Sequence, residues 1–167
     1  RKRGIRGGSI TANDIGDMWM HEGFAAYSDS FYIACRWGKE DVLKYLEGTR
    51  RDIGNDNPII GDYGVNSEGS GDMYYKGSNL LNTIRSIYND DELWWKTLKD
   101  YTTTYKHQTI STETTEAFFD NATETDLKPV FDQYLRHSNI PELQFKKDGN
   151  EVLYRWKADV DNFEMPV

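Results

Sequence analysis

Cysteine, histidine and long apolar runs are scarce in this sequence of 167 residues. Cys35 is the single cysteine, which excludes an internal disulfide and leaves the redox compartment undecided. Apolar runs of transmembrane length are missing, so we expect no membrane segment. Acidic residues outnumber basic ones by 28 to 20, for a net charge of −8. This balance disfavours nucleic acids and anionic membranes as partners, because both repel a negative surface.

Aromatic side chains, in contrast, are abundant. They make up 14% of the sequence, with 11 tyrosines and 5 tryptophans, and hydrophobic residues reach 37%. A chain of this length is typical of about one domain and can bury a sizeable core. The composition therefore favours a packed globular protein over a disordered one.

Residues 1–9, RKRGIRGGS, differ from the rest of the sequence. They hold four basic residues and three glycines, and Ile5 is their one large apolar side chain. Such a segment adds little to a core. We assign it to an atypical basic, glycine-rich N-terminus and expect a fragment or an altered end.

Apolar residues recur at steps of three and four along most of the remaining chain, which predicts helices. The predicted helices cover residues 12–37, 40–53, 70–88, 90–105, 111–122 and 126–139. In the first of them Asn13 or Asp14 is the expected cap, and Gly38 is the expected stop. Cys35 lies on the apolar side of this helix, so we expect a small buried side chain rather than a nucleophile.

The pattern changes twice along the chain. Residues 54–72 are rich in Gly, Asn, Asp and Ser and predict a long ordered loop, a type of segment that often carries function. After Pro141 apolar residues alternate, which predicts a β-hairpin with Asp148-Gly149 at the turn. The expected fold class is mainly α with a short hairpin. We place the helical domain at 10–140 and the start of a β-domain at 141–167.

His21 and Glu22 begin like the zinc motif H-E-x-x-H, but position 25 is Ala25. The surrounding residues, Trp19, Glu22, Gly23, Phe24 and Ala25, instead resemble the W-x-x-E-G-F-A block of the gluzincin zinc aminopeptidases of the aminopeptidase N type. The resemblance implies that Glu22 is a zinc ligand and that His21 is an incidental neighbour. A lone glutamate on a helix would otherwise be read as part of a solvated face.

A second block, Tyr74, Lys76 and Gly77, resembles the Y-x-K-G motif of the same family. The resemblance implies that Tyr74 donates to the oxyanion formed when zinc-activated water attacks the peptide carbonyl. A tyrosine hydroxyl is a neutral donor at neutral pH, which suits this task. The other interpretation of Tyr74 is a core aromatic on the inner face of its helix. Gly77 would allow that helix to approach a neighbour closely.

The remaining ligands of the family pattern, H-E-x-x-H-x(18)-E, would precede Glu22. Counting back from Glu22 puts the second histidine at position 3, which is Arg3. Arginine has no acceptor lone pair and is a very poor zinc ligand. No pair among His21, His107 and His137 has ligand spacing, so the sequence offers no other zinc site.

The resemblance therefore implies a particular piece of a longer protein. The expected fold is the helical C-terminal half of a thermolysin-like catalytic domain, followed by the start of a β-domain. The parent would be a zinc aminopeptidase that hydrolyses N-terminal peptide bonds, with a peptide substrate and the rest of the parent chain as partners. We expect this chain alone to be inactive and to bind no zinc. The alternative is a non-catalytic helical module that binds peptides or a partner protein.

Overall fold

The computed structural model describes residues 9–167 and confirms a mainly α fold. The helices are α1 (Trp19–Trp37), α2 (Lys39–Thr49), α3 (Tyr75–Tyr88), α4 (Asp91–Thr104), α5 (Thr112–Asp120) and α6 (Lys128–Arg136). The strands are β1 (Ile10–Ala12), β2 (Gln108–Ile110), β3 (Glu142–Asp148) and β4 (Glu151–Lys157). Within residues 9–167, no helix combines the length and apolarity needed to cross a membrane. The predicted mismatch of Arg3 with the zinc motif lies outside the described residues.

The chain enters α1 through a strand rather than through helical turns. β1 pairs in parallel with β2, and Ile10 lies opposite Gln108. The Asp14 carboxylate then accepts from the Gly16 amide at 2.8 Å and caps a 3-10 turn. The predicted helix start near Ala12 is therefore wrong, because a side chain that binds its own backbone competes with the helix. The expected cap at Asp14 serves this turn instead.

α1 and α3 approach each other closely where each carries a glycine. A Cβ atom on Gly77 would lie 3.0 Å from the Cα atom of Gly23, and a Cβ atom on Gly23 would lie 3.2 Å from the Cα atom of Gly77. Any larger residue would push the two helices apart. This contact confirms the prediction that Gly77 allows close packing.

The core around this crossing is rich in aromatic side chains. Phe24 of α1 stacks on Tyr101 of α4 at 5.4 Å between ring centres. Trp94 lies 5.7 Å from Phe119 of α5, and both are fully buried. Burial of large aromatic rings is the main source of core stability, so the aromatic content of the sequence is explained by these contacts.

The last turns of α1 extend beyond this core. Tyr32 is 61% exposed and Trp37 is 59% exposed. Cys35 is exposed too, so the prediction of a buried small side chain is wrong. The apolar pattern continues to the end of the helix, but the helix outruns the elements that could cover it.

The loop of residues 54–72 is ordered by backbone contacts, as predicted. The Ser70 amide donates to the Pro58 carbonyl at 3.1 Å. Gly69 has a φ of +83°, and a Cβ atom there would collide with the Ile59 carbonyl. The turn at Gly69 is therefore one that a larger residue could not form.

The hairpin forms where it was predicted, with its turn one residue later. Asp148 pairs with Glu151, so Gly149 and Asn150 form the two-residue turn rather than Asp148 and Gly149. Gly149 has a φ of +60°, which suits a hairpin with glycine at the first turn position.

The segment after the hairpin returns to the helical part. Trp156 packs against Phe163 at 5.8 Å between ring centres, and Phe163 is buried. The Gln133 side-chain oxygen accepts from the amides of Asp159 at 2.8 Å and Val160 at 3.1 Å. The end of the chain is therefore fastened to α6.

Candidate active site

Glu22 lies in the first turn of α1, half-buried, next to the glycine that contacts α3. The position of Glu22 is fixed by hydrogen bonds made by Asp17, just before α1. Asp17, fully buried, accepts from the Tyr63 hydroxyl at 2.7 Å and from the Thr112 hydroxyl at 2.6 Å. These bonds tie the 54–72 loop and the start of α5 to the beginning of α1, so the carboxylate of Glu22 projects from a braced helix end.

Tyr74 is the residue immediately before α3 and occupies its N-cap position. Ser70 caps a 3-10 turn over Gly71–Met73, and its hydroxyl accepts from the Asp72 amide at 3.2 Å. Met73 is buried beneath this turn, whereas Tyr74 is 43% exposed. Tyr74 therefore does not belong to the core, and the core-aromatic interpretation of this residue is wrong.

The structure brings Glu22 and Tyr74 together in the lining of one cleft. The pKa of Tyr74 is raised from its ordinary value, first by the negative charge of Glu22 and then by desolvation and by Glu68. A raised phenol pKa means that the hydroxyl keeps its proton throughout the neutral range. Tyr74 therefore presents a neutral hydrogen-bond donor beside a carboxylate.

The cleft has a volume of about 600 Å³. Its polar lining includes Glu22, Asp29, Asp52, Asp72, Tyr74 and Tyr75. The acids have different surroundings. Asp72 accepts from the amides of Gly54 at 2.9 Å and Asn55 at 2.6 Å, while Asp29 accepts from the Tyr45 hydroxyl at 3.4 Å.

His21 has a structural partner. The Ala12 amide donates to its Nε2 atom at 3.0 Å, which fastens β1 to the first turn of α1. The nitrogen that accepts this bond cannot also bind a metal in the same geometry. This agrees with the interpretation of His21 as an incidental neighbour of Glu22.

A complete metal site is not formed within residues 9–167. No three His, Cys, Asp or Glu side chains of this part of the chain are grouped so that they could hold a metal ion. Catalytic zinc takes three protein ligands and keeps one open position. Glu22 therefore fits as one oxygen ligand, and the other ligands would have to come from outside the described residues.

Sequence reasoning missed two features of the site. Asp29 follows Glu22 by two helical turns, so helical periodicity alone could have placed both carboxylates on one face. The sequence marks Lys76 only as part of the second motif, yet its side chain is 2% exposed and binds the end of α6. A lysine inside a helix gives no local signal that it is buried.

Comparisons with known proteins point to one group of folds. No protein-family model and no curated protein sequence matches the chain. An M1 zinc metallopeptidase from Deinococcus radiodurans is similar in structure, with a TM-score of 0.64 and 16% identity over 80% of this chain and 31% of that chain. A mutant M1 zinc metallopeptidase from the same organism, bound to a Tyr-Ser-Ala substrate, has a TM-score of 0.67 and 15% identity over the same shares.

A third similar structure is that of Legionella pneumophila aminopeptidase A in complex with aspartic acid. Its TM-score is 0.62 at 13% identity, over 92% of this chain and 18% of that chain. The chain thus spans less than a third of the length of each of these proteins. At these identities the likeness establishes a shared fold: this chain folds like a part of the M1 zinc metallopeptidases.

Proposed function

We propose that this chain is part of a zinc-dependent aminopeptidase, the helical C-terminal half of a thermolysin-like catalytic domain followed by the start of a β-domain. The observation that carries the proposal is the meeting of Glu22 and Tyr74 in one cleft, on elements far apart in the sequence. The shared fold with M1 zinc metallopeptidases supports it.

Tyr74 is the proposed oxyanion donor. When a nucleophile adds to a peptide carbonyl, negative charge develops on the carbonyl oxygen, and a donor aimed at that position lowers the barrier. The raised pKa of Tyr74 keeps its proton in place at neutral pH. Its partial exposure at the cleft wall leaves the hydroxyl accessible to a substrate.

Glu22 is the proposed zinc ligand of this chain. A carboxylate oxygen is a suitable ligand for zinc, and the first turn of a packed helix holds it rigidly. The zinc ion would supply water activation near neutral pH in such a site. Because Glu22 is one ligand of a set, the function belongs to a longer parent protein, and the chain alone is expected to be inactive.

The substrate class follows from the same comparison. A mutant M1 zinc metallopeptidase was seen with a Tyr-Ser-Ala substrate, which shows a peptide in that protein. We propose a peptide substrate here as well. The cleft is lined by acidic side chains, and the protein carries a net negative charge. Both features disfavour a nucleic acid as the substrate.

The test is Tyr74→Phe in the parent enzyme, which removes one hydroxyl and keeps the ring. We expect kcat to fall by about 10²–10³, or about 3–4 kcal/mol, with little change in KM, because the bond strengthens mainly in the transition state. The control is Tyr75→Phe. Tyr75 also lines the cleft but points about 100° away around the helix axis.

The two tyrosine variants distinguish the possible errors. Small and equal effects would show that Tyr74 is not an oxyanion donor. A large loss in Tyr75→Phe alone would assign the donor role to Tyr75.

The zinc part of the proposal is tested on this chain by metal analysis, with no stoichiometric zinc expected. One tightly held zinc per chain that is lost in Glu22→Ala would contradict the statement that the site is incomplete.

A non-catalytic module that binds peptides or a partner is the second candidate. The observation that favours it is Arg3, which stands where the second histidine of the zinc motif would fall. The gene sequence across the start of this chain decides between the two. A gene that reads H-E-x-x-H across that junction, with histidine at the position of Arg3, supports the enzyme, and a gene that keeps Arg3 supports the binding module.

A further inference from the structure

Lys76 lies inside the protein with its charge on backbone carbonyls. It is 2% exposed, and its Nζ atom donates to the carbonyl oxygens of His137 at 3.0 Å and Ser138 at 3.2 Å. Within residues 9–167 it forms no ion pair with a carboxylate. The carbonyls belong to the connection that leaves α6, where backbone oxygens lack helical partners and attract a cation.

Burial of the Lys76 ammonium group costs free energy, because the charge is removed from water. Burial lowers the pKa of Lys76 below its ordinary value, and the charge of Asp72 offsets this only in part. An apolar side chain of similar length would avoid the cost of removing an ammonium group from water. The lysine must therefore gain something from directional bonds that an apolar residue cannot make.

The first turn of α3 shows what those bonds can fix. Tyr74, which immediately precedes α3, and two residues of the first turn have three different neighbours. Tyr74 lies beside Glu22 in the cleft, Gly77 touches the backbone of α1 at Gly23, and Lys76 reaches the end of α6. The glycine contact sets how close α3 comes to α1, and the fully buried Leu80, Leu81 and Ile84 hold the later turns of α3 in the core, but neither contact restrains the first turn on the side that faces α6. The bonds of Lys76 on that side supply this restraint.

The other end of the Lys76 bond is held firmly. The Gln133 side-chain amide donates to the Asn139 carbonyl at 2.7 Å, and Asn139 in turn donates to Asp159 at 3.2 Å. Gln133 is fully buried. The connection after α6 is therefore a fixed support rather than a loose loop, and a bond to it restrains α3.

We propose that Lys76 is a positioning residue for Tyr74: its two bonds to the connection after α6 fix the rotation of the first turn of α3 and thereby hold the Tyr74 hydroxyl beside Glu22. The catalytic meaning of this position rests on the proposed function, but the position itself does not. It follows that the junction between α6 and the hairpin is mechanically linked to the cleft.

The test uses this chain with 13C-labelled tyrosine, studied by NMR at neutral pH without metal or substrate. The ring signal of Tyr74 is the one that disappears in Tyr74→Phe. The change in its chemical shift caused by Glu22→Gln, here called the displacement, measures how closely the side chains of Tyr74 and Glu22 lie. We expect this displacement to be largely lost when Lys76→Met is also present. Lys76→Arg, which keeps a charged donor, is expected to retain part of it.

Tyr88→Phe is the control, since it removes the buried bond from the Tyr88 hydroxyl to the Phe119 carbonyl at the other end of α3 and leaves the junction after α6 intact. We expect it to lower stability while the response of Tyr74 to Glu22→Gln persists. An unchanged response in Lys76→Met overturns the proposal, and so does an equal loss in Tyr88→Phe. If Lys76→Met does not fold, Lys76→Gln replaces it: its amide nitrogen lies one bond nearer to the backbone than the lysine Nζ atom and falls short of the two carbonyls, so the displacement is again expected to be largely lost.

The outcome is separable from that of the proposed function. The NMR response needs no zinc and no turnover, so it can fail while Tyr74→Phe still lowers kcat in the parent enzyme. Conversely, a positive NMR result with no kinetic effect of Tyr74→Phe would keep Lys76 as a positioning residue and remove the oxyanion role.

Discussion

The helical part of the chain buries a phenylalanine side chain, whereas the C-terminal hairpin exposes one. Phe119 of α5 is fully buried among aromatic rings, whereas Phe145 of β3 is 75% exposed. Both lie in regular, well-paired elements. The difference teaches that strand pairing orders a hairpin backbone without burying its side chains, while burial requires a second surface to pack against. The candidate site lies in the part with such surfaces, where helix packing fixes the positions of side chains.

The largest expected contrast comes from the same substitution made in the two parts. Phe119→Ala should lower the free energy of unfolding by about 3–5 kcal/mol, because it leaves a cavity in the core. Phe145→Ala should cost under about 1 kcal/mol, the usual range for a cross-strand pair. Urea unfolding of both variants checks this. A comparable loss at Phe145 would show that the hairpin face is covered in solution.

The second contrast is in alkaline stability. Burial raises the pKa of Tyr27 and of Tyr101 in the helical part to about 12, from an ordinary value of 10.0. Since the folded-state pKa is higher, their contribution is complete below pH 10 and is lost as the pH rises toward 12. We expect a loss of about 2–3 kcal/mol for each tyrosine over this window.

Tyr101→Phe tests that expectation. The variant should start less stable, because its bond to Thr115 is lost, but should lose less stability between pH 10 and 12. The hairpin counterpart is Phe145→Ala, which removes an exposed ring that carries no titrating group and should leave the alkaline profile unchanged. Parallel profiles for Tyr101→Phe and the unchanged chain would contradict the assignment.

The helix crossing gives the third and smaller effect. Gly77→Ala places a methyl group 3.0 Å from the backbone of Gly23, so α1 and α3 must separate. We expect a loss of about 1–3 kcal/mol, larger than the gain of about 1 kcal/mol in helix propensity. Gly48→Ala is the control in α2, where a Cβ atom meets nothing within 4 Å, and should stabilise the chain. Stabilisation by both variants would mean that the crossing is not tight.

The smallest effect is expected in the hairpin turn. Gly149 has space around it but a φ of +60°, so an alanine there costs about 1 kcal/mol through backbone strain alone. Gly149→Asn should cost less, because asparagine tolerates this conformation. Thermal unfolding of the two variants checks the order. The two glycines thus differ in kind, since Gly77 is required by its neighbour and Gly149 by its own backbone.

Much of the secondary structure could be predicted because its signals are local. Ser111 accepts from the Thr114 amide at 3.4 Å and starts α5, and Asp90 accepts from the Leu93 amide at 3.0 Å and starts α4. The β1–β2 pair could not be predicted, because each strand has three residues and its partner lies far along the chain. The domain boundaries near residues 9 and 140 stay predictions.

The sequence by itself determined the helices, the hairpin and the two motif residues of the candidate site, Glu22 and Tyr74. Apolar spacing, caps and turn residues act over a few positions, so they can be read without the fold. Only the tertiary structure decided that Glu22 and Tyr74 share a cleft, that Cys35 is exposed and that Lys76 is buried. Each of these depends on which element packs against which, and here the contact between Gly23 and Gly77 brings the two halves of the site together.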